Sequence, residues 1–155
     1  MKLSTRARYG VRLMLALAVN YGKGPVYLKD IARGEEISEK YLSLTIIPLR
    51  TAGLVNSTRG AYGGYQLARD PAQVNLKDIL DILEGETCLV DCVRDPSRCP
   101  RVPTCVTREI WCLLGGRISE VLGSISLLDL VRMNQDKLGN EGVAENKQPL
   151  SGLRS

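Results

Sequence analysis

The chain has 155 residues, 44% of them hydrophobic, and a formal charge of +4. That length supports one domain, or a small domain with appendages, whose core needs no disulfides; the absence of histidine removes imidazole from any catalytic or metal-binding scheme. The charge is uneven: residues 1–75 carry eleven Lys/Arg against five Asp/Glu, and residues 76–155 carry ten against twelve, so a basic, polyanion-seeking half is joined to a mildly acidic one.

With no phenylalanine, the core must be aliphatic. The opening stretch MKLSTRARYGVRLMLALAV imitates a signal peptide, but its uninterrupted apolar run is only Leu13 to Val19 and Arg12 abuts it. Tyr9, Leu13, Ala16 and Leu17 recur at helical spacing, and Ser4 or Thr5 can cap a helix running to about Asn20. No later run has the length to cross a bilayer. The expectation is a cytoplasmic protein with reduced thiols and no membrane partner.

YGKGP ends the first helix, because Gly22 and Gly24 tolerate positive φ and Pro25 cannot continue the ladder. A short extended piece, VYL, leads to a brief helix from about Leu28 to Arg33, and Gly34 makes the turn. Ser38 caps a longer helix through about Thr51, terminated by Gly53. Pro48 inside it should bend or shorten that helix. Ile31, Ala32, Ile37, Leu42, Ile46 and Leu49 form the inner face of the pair, a helix-turn-helix candidate. GLVNSTRGAYGGYQLAR then reads as strand, glycine-rich basic loop and strand. Together these make a winged helix. Its second helix suits a DNA major groove, and Arg59 suits a minor groove or phosphates. No Lys-Ser/Thr follows the glycines and no helix opens after Gly64, which argues against a nucleotide-binding loop.

After Pro71, VNLKDILDILEG forms a short amphipathic helix with Leu76, Ile79, Leu80 and Leu83 on one side, ended by Gly85. A long helix from about Cys105 to Leu122 presents Ile110, Trp111, Leu114, Ile118, Val121 and Leu122, a stripe that a second copy of the chain would bury. A final short helix runs from Ser126 to about Met133. The fold class is mainly α with a small β-wing: a winged helix-turn-helix domain over 1–75, a cysteine loop and dimerisation helices over 76–135, and a flexible polar tail over 136–155.

All five cysteines fall within the 25 residues from Cys88 to Cys112. Cys92, Cys99 and Cys105 lie in a loop with Pro96, Pro100 and Pro103, which stiffen it and keep it from becoming helix, so three soft donors can converge on one centre. The spacing lacks the paired C-x2-C of zinc ribbons and the C-x-x-C of a thioredoxin-type centre. Cys88 and Cys112 flank the loop and read as small buried apolar residues.

Over nearly everything but the tail, the sequence resembles the IscR-type winged-helix regulators, the iron–sulfur branch of the Rrf-type transcription factors. The resemblance rests on MKLSTRARYGVRLMLALA, IARGEEISEKYL, LRTAGLVNSTRGAYGGYQLAR and the three cysteines in front of EIWCLL. It implies a homodimeric, non-enzymatic regulator, a repressor, on a double-stranded DNA operator, with no small-molecule substrate. It implies an iron–sulfur cluster, 2Fe–2S ahead of 4Fe–4S, held by Cys92, Cys99 and Cys105. It also implies DNA contacts from Ser38, Lys40, Tyr41 and Ser43 on the second helix and from Arg59, Gly60, Gly63, Gly64 and Tyr65 on the wing. Two departures stand out. Arg108 occupies the position where 2Fe–2S relatives carry a histidine, and a permanently protonated guanidinium cannot ligate. The fourth ligand is therefore open among Glu109, Asp91, Cys88, Cys112 and an exogenous thiol. The recognition helix carries Ser43-Leu44 where relatives often have Glu-Gln. A metal-free regulator answering to thiol oxidation or a protein partner is the alternative reading.

Overall fold

The computed structural model describes residues 2–86 and 88–144. Helix α1 (Thr5–Val19) starts where the Ser4 hydroxyl accepts the Ala7 N–H, satisfying an N–H that the first turn leaves unpaired. α2 (Leu28–Gly34) and α3 (Glu39–Thr51) follow, α3 capped by Ser38. The tight turn between them is not made by Gly34, which closes α2; the left-handed residue is Glu36, with φ +53. The chain reverses there because the Ile37 N–H reaches the Ala32 carbonyl at 3.0 Å. Arg12 of α1 holds the same turn, pairing with the Glu35 carboxylate at 2.8 Å and donating to the Glu35 carbonyl. Pro48 does not shorten α3, which continues to Thr51 before Gly53 turns at φ +74.

β1 (Val55–Thr58) and β2 (Gly64–Leu67) pair antiparallel, Val55 opposite Leu67 and Thr58 opposite Gly64. α4 (Leu76–Glu84), capped by Asn75, ends at Gly85 with φ +85. The one-turn α5 (Asp91–Arg94) opens the cysteine segment, α6 (Val106–Ser124) closes it, and α7 (Leu127–Ala144) follows. α7 runs well beyond the Met133 end read from the sequence: 136–144 are helical, and the rest of the expected tail lies outside the described residues. Asp129 caps its start, accepting from the Ser126 N–H and hydroxyl.

One aliphatic core unites the first half with α4 and the start of α7. It joins Leu13, Met14 and Leu17 of α1 to all six residues expected on the inner face of the helix pair, and adds Val55, Leu67, Ile79, Leu83 and Leu127. It therefore spans the boundary placed at residue 75. Backbone bonds from Leu76 to the Ile125 carbonyl (2.9 Å) and from Leu127 to the Val74 carbonyl (2.8 Å) bring α7 back onto the winged unit. α6 is different: none of its residues is buried. No described helix is long and apolar enough to cross a membrane.

Candidate nucleic-acid interface and cysteine loop

α3 turns Leu42, Thr45, Ile46 and Leu49 inward, so Lys40, Leu44, Ile47 and Thr51, at offsets of four, seven and eleven, form the ridge opposite the core. Ser38 and Lys40 are exposed at its N-terminal end. Ser43 is half-buried and its hydroxyl donates to the Lys40 carbonyl at 2.7 Å. Tyr41 leans the other way, its ring edge-on to Tyr9 at 5.5 Å, and helps seat α3 on α1.

In the wing, Arg59 and Gly60 are exposed at the tip. Gly63 is buried, its N–H donating to the Gly60 carbonyl at 2.9 Å, and a Cβ there would press on the Thr58 and Gly60 carbonyls. Gly64 has φ +141, and a Cβ would stand 2.5 Å from the Val26 carbonyl oxygen. Tyr65 and Val26 form an antiparallel bridge. These two glycines are thus required by close backbone packing where the strands meet the wing's loop, whereas Arg59 and Gly60 are exposed in that loop. Two tyrosines went unread in the sequence. Tyr62 is 93% exposed in the same loop as Arg59, and Tyr27 donates to the Ala61 carbonyl, bracing the loop. A tyrosine amid GAYGG is the sequence signal for the first of them.

The prolines of the cysteine segment organise it into short turns. Pro96 opens the single 3-10 turn Pro96–Arg98 and Pro103 is second in the turn Val102–Thr104, because fixed φ and a missing N–H suit the opening positions of a turn, whose N–H groups are unpaired. Cys92 lies on α5, Cys99 follows the first 3-10 turn, and Cys105 stands at the N-cap of α6. All five cysteines are free and half-buried, including Cys88 and Cys112, which were expected to be buried. The Cys88 thiol donates to the Val90 carbonyl at 2.9 Å and lines a cleft of about 430 Å³ with Leu3, Leu80, Ile118 and Leu122.

Cys105 is the chemically distinctive thiol. The Thr107 hydroxyl, 3.2 Å from its sulfur, and then the Arg108 N–H hold it below its ordinary pKa, because hydrogen bonds to the thiolate favour the charged form. The Arg108 Nε donates to the Cys92 carbonyl at 3.1 Å, tying the first turn of α6 to α5. Among the described residues, no three Cys, Asp or Glu side chains come together as a preformed metal site. The thiols therefore match an iron–sulfur group in donor type but are not gathered around one point.

A family model described as Rrf2, iron-dependent transcriptional regulator, matches residues 3–133. The chain is 42% identical to the HTH-type transcriptional regulator CymR of Bacillus subtilis over 130 residues, covering 84% of this chain and 89% of that relative. Its fold matches the solved structure of B. subtilis CymR, described as that organism's global cysteine regulator, at TM-score 0.74 and 41% identity, over 86% of this chain and 98% of that one. It matches the solved T. potens IscR at TM-score 0.73 and 40% identity, over 88% and 90% of the two chains.

Proposed function

The chain belongs to the Rrf2 family of DNA-binding transcriptional regulators, and from that membership we propose that it acts as a homodimer on duplex DNA, its operator affinity set by the loop carrying Cys92, Cys99 and Cys105. In this reading α3 enters the major groove, with Ser38, Lys40, Tyr41 and Ser43 at or near the groove. Arg59 and Gly60 approach the backbone or the minor groove, while Gly63, Gly64 and Tyr65 hold the wing's shape. The exposed stripe of α6, including Ile110, Trp111, Leu114 and Val121, pairs with its copy in a second subunit, which places two winged units on two half-sites.

The observation that carries the sensing half is the shared junction of loop and dimer helix. Cys105 is the first residue before α6, and Arg108 of its first turn bonds the Cys92 carbonyl. Any event that rearranges the thiols therefore also re-aims α6. DNA affinity then changes by the difference in loop energy between the two dimer arrangements. Cys92, Cys99 and Cys105 are the residues that would hold an iron–sulfur cluster, which when bound would supply a redox-labile, iron-dependent crosslink across the loop. Arg108 cannot complete the set, so the fourth donor is Glu109, Asp91, Cys88, Cys112 or an external thiol.

The test is anaerobic purification followed by iron and sulfide assays and a visible spectrum. Iron and sulfide with a visible band support the cluster; colourless, iron-free protein overturns it. A second reading has its own support, because the thiols are not gathered here and one relative is named a cysteine regulator. Here the same loop responds without metal, through oxidation of its cysteines or a protein partner, and colourless protein whose operator binding still changes on thiol oxidation would establish it.

A further inference from the structure

The outer ridge of α3 is unusual for a surface meant to meet a polyanion. Leu44 is 60% exposed and Ile47 is 47% exposed, and with Pro48 and Thr51 they border a shallow groove whose far wall is Arg6 and Ile82. Exposed apolar patches on folded domains mark contact surfaces. The sole carboxylate of α3, Glu39, lies off this ridge, while Lys40 heads it and Arg6 flanks it. That charge pattern fits an anionic occupant, and the ridge continues without a break from the polar residues at the head of the same helix.

The only apolar group that duplex DNA displays in its major groove is the thymine 5-methyl. We infer that Leu44, supported by Ile47, reads thymine methyls in each half-site and is a specificity determinant of this chain. The inference rests on the reading of α3 as the recognition helix. Leu44 has no hydrogen-bonding group, so it cannot select guanine or adenine by donor and acceptor pattern. It selects a methyl by burying it, and cytosine, which has no methyl at C5, offers no such contact.

The test begins with selection of binding sites from a randomised duplex pool by the full-length protein. The selected site is then resynthesised with deoxyuridine in place of each thymidine, which removes the methyl and nothing else. For the wild type, losing a read methyl should weaken binding about fourfold, the transfer free energy of one buried methyl-sized group. Leu44→Ala should bind the thymidine site more weakly and lose sensitivity to deoxyuridine at that position, with Ile47→Ala losing it at a neighbouring position or in part. Both variants change exposed side chains, and unchanged thermal midpoints establish that they fold. The inference is overturned if no deoxyuridine substitution weakens the wild type, or if the variants respond to each as the wild type does. It is also overturned if the variants bind DNA normally but lose self-association in sedimentation, which would assign the ridge to a protein contact. Failure to select any duplex would instead overturn the DNA-binding reading itself, and this inference with it.

Discussion

Val26 and Tyr65 exchange two backbone hydrogen bonds of 2.8 Å, so the segment before α2 and the second wing strand form one small unit. The wing is thereby fixed to the helix-turn-helix where its strands meet the loop, and Tyr27 braces that loop through the Ala61 carbonyl, while Arg59 and Gly60 stay exposed. Gly64, next to Tyr65, is what lets the two backbones meet, because a Cβ there would abut the Val26 carbonyl and its φ of +141 excludes other residues. Gly64→Ala should cost about 1–3 kcal/mol from strain alone and release the wing. The check is chemical denaturation alongside duplex binding, with affinity falling more than global stability.

Arg59 tests the tip separately. Arg59→Ala should leave the thermal midpoint unchanged, because the side chain is exposed and makes no ion pair among the described residues. If the guanidinium neutralises a phosphate, the slope of log affinity against log salt should fall by about one. Titrations at several salt concentrations measure this.

Gly10 tests the packing that seats α1 on α4. A Cβ there would collide with Cδ1 of Leu83, which is buried and has little room to move, so the overpacking cost of about 1–3 kcal/mol should exceed the roughly 1 kcal/mol that alanine gains in helix propensity, and Gly10→Ala should destabilise. Adding Leu83→Ala relieves the collision, so the double variant should lose less than the two single losses combined. Denaturation of all four proteins closes the cycle.

Leu114→Glu tests the α6 stripe. No residue of α6 belongs to the core, so a carboxylate there should leave the winged unit folded. Burying that charge in a helix pair is costly, so sedimentation equilibrium should show a monomer and two-half-site DNA binding should weaken. A dimer unchanged in affinity would move the interface elsewhere.

The thiol of Cys105 gives a pH prediction. Its pKa is lowered by the Thr107 hydroxyl and neighbouring N–H groups, so in reduced, metal-free protein its thiolate is populated at lower pH than that of an ordinary cysteine. Alkylation of Cys105 should therefore set in at lower pH than alkylation of a free cysteine thiol. Thr107→Val removes the first of these donors, raises the pKa, and should shift the Cys105 alkylation profile to higher pH. Peptide mass mapping after timed alkylation reads this out.

What could be read from the sequence followed local rules. The caps at Ser4 and Ser38, the stops at Gly53 and Gly85, and the six inner-face residues all obey periodicity or capping chemistry within a few positions. What could not be read depends on partners distant in sequence. The Val26–Tyr65 bridge spans the whole helix-turn-helix, so nothing local gave Gly64 a packing role. α7 beyond Met133 has little apolar periodicity, and Leu138 is exposed, so the sequence looked like a tail although its residues are competent helix formers. The prolines of the cysteine loop keep it from α-helix, as their chemistry dictates, but the two single 3-10 turns that hold Pro96 and Pro103 are not legible from them alone. Glu36 in the left-handed region, beside a glycine that does not adopt it, is a tertiary outcome: Arg12 and the Ile37–Ala32 bond hold the turn.

The most direct measurement of the account is operator affinity, without air, for the wild type and for the variant with serine at Cys92, Cys99 and Cys105. Both should be compared across a salt series on a duplex selected by the wild type. The account predicts that the two differ in affinity or site preference while sharing the same fold and dimer. Equal affinity and equal preference at every salt concentration would contradict it.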